Sequence, residues 1–71
     1  MTFYCQVGEI LRSERRKRKL SREKLGAIVG AHRNTIMHWE KGDSRLTLQD
    51  FLQICYALKV SPWSVLPKGT A

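Results

Sequence analysis

The chain is short of most features that would set it apart from a small globular domain. It holds only two cysteines, Cys5 and Cys55, and two prolines in 71 residues. Two cysteines do not make a disulfide framework, and Cys55 lies inside an apolar run, where it reads as a small buried hydrophobe. No window approaches the ~18 consecutive apolar residues of a membrane span. The opening MTFYCQVGEIL has no basic start leading into a long apolar stretch, so no secretory leader is expected. A reduced, cytoplasmic protein is the expectation. Strand-like alternation, internal repeats, low-complexity segments and a dividing linker are all missing. So are catalytic and metal signatures. There is no Gly-rich phosphate loop, serine elbow or paired-carboxylate cluster. His32 and His38 are six residues apart rather than at the i, i+4 spacing that aims two imidazoles at one zinc. Neither an enzyme nor a cofactor or metal site is expected.

Acidic residues are also scarce. Six Asp and Glu face 13 Lys and Arg, a formal charge of +7. In a domain this small the imbalance points first to nucleic acid and less to an anionic membrane or acidic protein. The length fits one domain (1–71). A chain of this size buries only about 60% of its unfolded surface, which leaves little room for an internal active site.

What is present is helical. Val7, Ile10, Leu11 and Glu14 follow an i, i+3, i+4, i+7 pattern, which predicts a first helix over 6–19 behind a short N-terminal arm, 1–5. The continuation of that stripe falls on Arg15 and Arg18, inside the run ERRKRK. Three later helix starts share one signature, a capping hydroxyl with a hydrophobic staple across it. Ser21 stands between Leu20 and Leu25, Thr47 between Leu46 and Phe51, and Ser61 between Val60 and Val65 with Pro62 at the first helical position. These predict helices over about 22–29, 48–58 and 62–66, with a tail at 67–71. A further helix precedes Gly42, with Ile36 and Trp39 on its apolar side. The expected architecture is an all-α bundle of five short helices.

The stretch SREKLGAIVGAHRNTIMHWEKG resembles a helix-turn-helix, at about 21–41. With its flanking helices and the ending ALKVSPWSVL, the chain from about Val7 to Leu66 resembles the phage repressor/Cro (XRE-type) family of DNA-binding domains. Leu25, Gly26, Val29, Gly30, Ile36 and Trp39 stand where that family places packing residues, and the resemblance implies a lambda-repressor-like fold. Three positions depart from it. Gly26 replaces a usual alanine, at up to ~1 kcal/mol of helix propensity. Ile28 replaces a usual polar residue, and is either an exposed apolar spot or a partner contact. His32 replaces the usual Ser or Thr cap of the third helix; it either caps poorly or is held by a DNA phosphate.

In that family the third helix lies in the major groove. Arg33, Asn34, Met37, His38 and Lys41 fall on one outward face at i, i+1, i+4, i+5 and i+8. The resemblance makes Arg33, Asn34 and His38 the base-reading residues. An arginine fork matches guanine O6 and N7, and an asparagine amide matches adenine N6 and N7. It makes Arg22, Lys41, Arg45 and, on the second alternative, His32 phosphate contacts, with Asp43 placed to repel a phosphate if it points inward. It also pairs Arg15 with Glu40 as a structural ion pair between helices one and three. The implied partner is a double-stranded, pseudo-palindromic DNA operator, bound as a homodimer. The contact between copies is expected in the helix four to five region, with Phe3 and Tyr4. The implied role is that of a phage or prophage repressor/Cro-like switch. A restriction–modification controller or an antitoxin-type autorepressor is the alternative, and a basic helical module for protein or RNA is the alternative of a different class. An RNA binder would show exposed stacking aromatics, and Trp39 and Trp63 are expected to be buried.

Overall fold

The computed structural model describes residues 2–66; the expected tail at 67–71 lies outside them. Five α-helices follow one another: α1 Phe3–Lys17, α2 Arg22–Val29, α3 Arg33–Glu40, α4 Leu48–Leu58 and α5 Pro62–Val65. No strand occurs among the described residues.

α1 starts three residues earlier than the apolar pattern predicts, because the Thr2 hydroxyl accepts from the Cys5 amide at 3.2 Å and caps it. Phe3, Tyr4 and Cys5 are therefore helical and form no arm. At the other end α1 stops at Lys17. Lys19 turns to φ 56, and the Leu20 amide returns to the Arg15 carbonyl. Two of the three expected hydroxyl caps form as read: Ser21 accepts from the Lys24 amide at 3.0 Å and Thr47 from the Asp50 amide at 3.1 Å. Ser61 makes no side-chain cap. Instead its carbonyl accepts from the Ser64 hydroxyl at 2.7 Å, which suffices for a helix of one turn begun by Pro62.

The core is one cluster in which every helix takes part: Val7 and Leu11, Leu25, Ile36 and Trp39, then Phe51, Ile54, Cys55 and Leu58, and Val65, with Leu46 from the loop before α4. Burial in it raises the Cys55 thiol above its ordinary pKa, the behaviour of a packing residue rather than a reactive one. Trp63 is not part of it. At 78% exposed it corrects the expectation of a buried ring; Pro62 and Ser64 share the one-turn helix, and Val65 alone turns inward.

Two close approaches set how α3 sits. Gly30 takes φ 76 to end α2, and the Ala31 amide then bonds the Gly26 carbonyl at 2.8 Å. This folds the turn so tightly that a Cβ on Gly26 would run into the Ala31 carbonyl oxygen. At the far end of α3, α1 crosses at Gly8, where a Cβ would lie 2.5 Å from the Glu40 carbonyl oxygen and 2.6 Å from that of Trp39.

The side chain of Glu40 joins three helices in one buried cluster. Arg15 Nε of α1 donates to Glu40 Oε2 at 2.6 Å and Arg22 Nε of α2 donates to Oε1 at 3.0 Å. Arg15 Nη1 also donates to the Leu20 carbonyl at 2.7 Å, so the α1–α2 turn is tied to the same cluster. Arg15 and Glu40 are 7% and 6% exposed. Among the described residues no buried side-chain polar atom lacks a partner.

Two stability predictions follow from this packing. Glu40→Gln strands the Arg15 charge, and breaking one partner of a buried pair removes about 3–5 kcal/mol. In a domain of this size each kcal/mol moves Tm by roughly 4–8 °C, so thermal melting should show a fall of more than about 10 °C. Gly26→Ala should lower Tm as well. The ~1 kcal/mol gained in helix propensity is outweighed by the roughly 1–3 kcal/mol of overpacking at the Ala31 carbonyl. A raised Tm would show that the turn can open to admit a methyl group.

Candidate nucleic-acid interface

α3 presents two faces because its apolar residues are three apart. Ile36 and Trp39 turn into the core, while Arg33, Asn34 and His38 are exposed and Met37 is half-buried. Lys41, the C-cap, continues the exposed face. The three residues expected to read bases are thus on one side of a helix whose other side is fixed to the bundle. Among the described residues Arg33 makes an ion pair, its Nη1 3.8 Å from Glu23 Oε2 of α2 in a pair exposed on both sides, while His38 borders Asp43 and Arg45. A pair this open and long holds its side chains loosely.

His32 resolves the alternatives left by the sequence in an unexpected way. Its Nδ1 accepts from the Asn34 amide at 3.1 Å, so the imidazole performs the N-cap role that a serine or threonine oxygen would. Accepting at Nδ1 assigns the proton of the neutral ring to Nε2. Histidine ranks low as a cap because few rotamers aim Nδ1 back at the helix, and sequence reasoning has no signal for which rotamer is taken. The ring is exposed, and its Nε2–H remains a donor beside the helix N-terminus, where free backbone amides already favour an anion.

The other residues expected at phosphates differ in how free they are. Lys41 is exposed and makes no side-chain ion pair among the described residues. Arg22 opens α2 but its Nε is bound to Glu40, which the sequence reading did not foresee; its two terminal nitrogens make no hydrogen bond within the described residues. Arg45 is held by Asp43 through Nε and Nη2, at 3.1 and 2.8 Å, and the Asp43 carboxylate also accepts from the Arg45 amide at 2.9 Å. The Arg45 hydrogen bonds hold the Asp43 carboxyl at a pKa of about 2, and the same carboxylate raises that of Arg45. At neutral pH the two charges therefore cancel in a closed loop, and Asp43 acts as a clasp for Arg45 rather than as an inward-pointing repulsive charge.

The ERRKRK run divides in the same manner. Arg15 is buried on Glu40. Arg18 and Lys17 bond Glu14, whose pKa is lowered by those hydrogen bonds, Arg18 foremost. Arg16 and Lys19, and Arg12 just before the run, carry no such partner among the described residues and are exposed. No group of three or more His, Cys, Asp or Glu side chains is placed to hold a metal among those residues, and no helix is long and apolar enough to cross a membrane.

Comparison with known proteins fits this geometry. Curated proteins yield no match. Among solved structures the fold is similar to hydroxypropylphosphonic acid epoxidase from S. wedmorenis, at 27% identity and TM-score 0.86 over 93% of this chain and 35% of that one. A cobalt form of HppE with Tris buffer gives 26% identity and TM-score 0.87, covering 94% and 38%. The clp gene regulator ClgR from C. glutamicum shares the fold at 20% identity and TM-score 0.86, covering 92% of this chain and 84% of ClgR. The chain spans about a third of the length of the epoxidase chains it matches, so their chemistry is a property of those larger proteins. The sequence model of one domain family matches residues 6–63, from α1 into α5 and across the whole α2–turn–α3 unit. The chain belongs to the helix-turn-helix domain family.

Proposed function

We propose that this chain is a sequence-specific double-stranded DNA-binding transcriptional regulator, with α3 as its recognition helix and a dimer as its bound form. The observation that carries this is the division of α3: an anchored apolar side, and an exposed side bearing Arg33, Asn34 and His38. Groove reading needs forked or paired hydrogen-bonding groups on a helix that does not shift, and α3 is held at both ends, by the tight turn at Gly26 and by Glu40. ClgR is a gene regulator of the same fold, which supports the regulatory reading.

In this reading Arg33 and Asn34 contact base edges, Arg33 releasing Glu23 as it enters the groove, and His38 donates to a base or phosphate further along. His32 Nε2 and Lys41 grip phosphates at the two ends of α3, and the terminal nitrogens of Arg22 reach a third. Arg45 contributes only when a phosphate displaces Asp43. A single recognition helix reads about half a site, so two copies present their helices roughly 34 Å apart, one DNA turn. Within this class a phage or prophage repressor/Cro-like switch is the reading taken. A restriction–modification controller or antitoxin-type autorepressor would use the same surface, and the neighbouring genes distinguish them.

Titrations of a selected operator and a scrambled duplex at several salt concentrations test the division of roles. Arg33→Ala and Asn34→Ala should each lose about 1–3 kcal/mol of discrimination at one operator position, with far smaller losses on scrambled DNA. Lys41→Ala should weaken both duplexes alike and lower the salt slope by about one unit. Equal losses on both duplexes for Arg33→Ala and Asn34→Ala, with unchanged melting, would remove α3 from sequence reading. Single-stranded RNA bound more tightly than either duplex would favour the RNA-binding alternative. Sedimentation of the protein on the selected duplex should give two protomers at saturation; one protomer would end the dimer reading.

A further inference from the structure

Ile28, the apolar residue at a position where its look-alikes carry a polar one, is 59% exposed and does not stand alone. It borders a groove between α2 and α4, completed by Val29, Leu48, Leu52, Tyr56 and Ala57, with Gln49 and Gln53 at its edge. None of these eight residues is charged, in a chain of formal charge +7. Leu48, Leu52 and Tyr56 stand at i, i+4 and i+8 on α4 and are 72, 44 and 87% exposed. They form a ridge opposite the core side of Phe51, Ile54, Cys55 and Leu58.

We infer that this groove is where a second copy of the chain docks, through a two-fold contact that crosses α4 on α4 at Leu52. The inference rests on the dimer reading above and names its surface. Three features select a second copy as the occupant. First, two chains that each carry a net charge of +7 repel least where both faces lack charge, and here the neutral face meets itself. Second, a two-fold contact needs a surface complementary to itself. Here the protruding Tyr56 ring and the concave strip beside it, lined by Ile28 and Val29, lie on one protomer, so each copy can seat its ring in the other's groove. Third, rows at four-residue spacing on two helices interdigitate in the commonest helix-crossing class. The residues used are all on α2 and α4, which leaves the exposed face of α3 free. The competing apolar groove, by Phe3, Tyr4 and Leu66, offers less, because Leu46 and Phe51 in its wall are already buried at 8 and 7% exposure.

Size sets the strength. A stable contact buries about 800 Å² per partner, roughly a sixth of the 4961 Å² of described surface. The groove has eight lining residues where a standard interface draws on about 20–30 a side, so the pair is weak alone and is completed by adjacent half-sites on DNA.

Sedimentation equilibrium of the full chain, alone and on a duplex selected from a random pool, tests this. Leu52→Lys places like charges face to face across the axis and Tyr56→Lys removes the seated ring. Each should weaken self-association at least tenfold and reduce saturation on the duplex to one protomer at concentrations where wild type gives two. Tyr56 is so exposed that its replacement leaves folding intact, which melting verifies, and it decides the matter if Leu52→Lys fails to fold. An equimolar mixture of Leu52→Lys and Leu52→Glu should recover association, since the charges then attract; no recovery would overturn the crossing at Leu52. Phe3→Lys should behave as wild type. If wild type binds as two protomers and Tyr56→Lys does so with equal affinity, the groove is not the contact. Wild type binding as a single protomer would instead end the dimer reading itself.

Discussion

The rest of the structure depends on one buried carboxylate. Glu40, the last residue of α3, accepts from Arg15 of α1 and Arg22 of α2. Arg15 extends the cluster to the Leu20 carbonyl in the turn between those helices. A buried ion pair is a weak source of net stability, because desolvation opposes the attraction. Its effect here is geometric. Directional hydrogen bonds to two arginines fix the end of an eight-residue helix that could otherwise slide on its few apolar contacts. Gly8 is required by the same arrangement, since a side chain there would push α1 off the α3 carbonyls and lengthen the Arg15–Glu40 bond.

That constraint also sorts the positive charge. The bare count places it along ERRKRK, yet Arg15 and Arg22 serve Glu40, Lys17 and Arg18 serve Glu14, and Arg45 serves Asp43. The exposed cations with no ion-pair partner among the described residues are spread over Arg12, Arg16, Lys19, Lys24, Lys41 and Lys59. Long-range attraction to a polyanion is therefore diffuse. The exposed face of α3 carries hydrogen-bonding variety rather than charge density, in keeping with the base-reading role proposed for it.

Apolar exposure is concentrated in the same selective way. Leu48, Leu52 and Tyr56 repeat along α4 and meet Ile28 across a groove free of charge. That ridge is apolar surface the chain's own core leaves unburied, and it is the surface assigned above to a second copy.

Local features of the chain alone determined the all-helical class, the limits of α2 and α4, and the two faces of α3. Caps such as Ser21 and Thr47, the stop at Gly30 and the three-residue spacing of Ile36 and Trp39 act within a turn or two of chain, so they are visible in sequence. The family likeness located Arg15 and Glu40 as partners, but not the recruitment of Arg22. Tertiary structure decided what depends on distant residues or on rotamers. The extra turn of α1 behind Thr2 and the exposure of Trp63 were missed, as was the clasp of Asp43 on Arg45. The imidazole cap at His32 depends on a rotamer aimed back at the Asn34 amide. The need for glycine at positions 8 and 26 depends on carbonyls of α3 and of the turn arriving within contact distance. Periodicity shows which way a side chain faces; only the packed chain decides what it meets there.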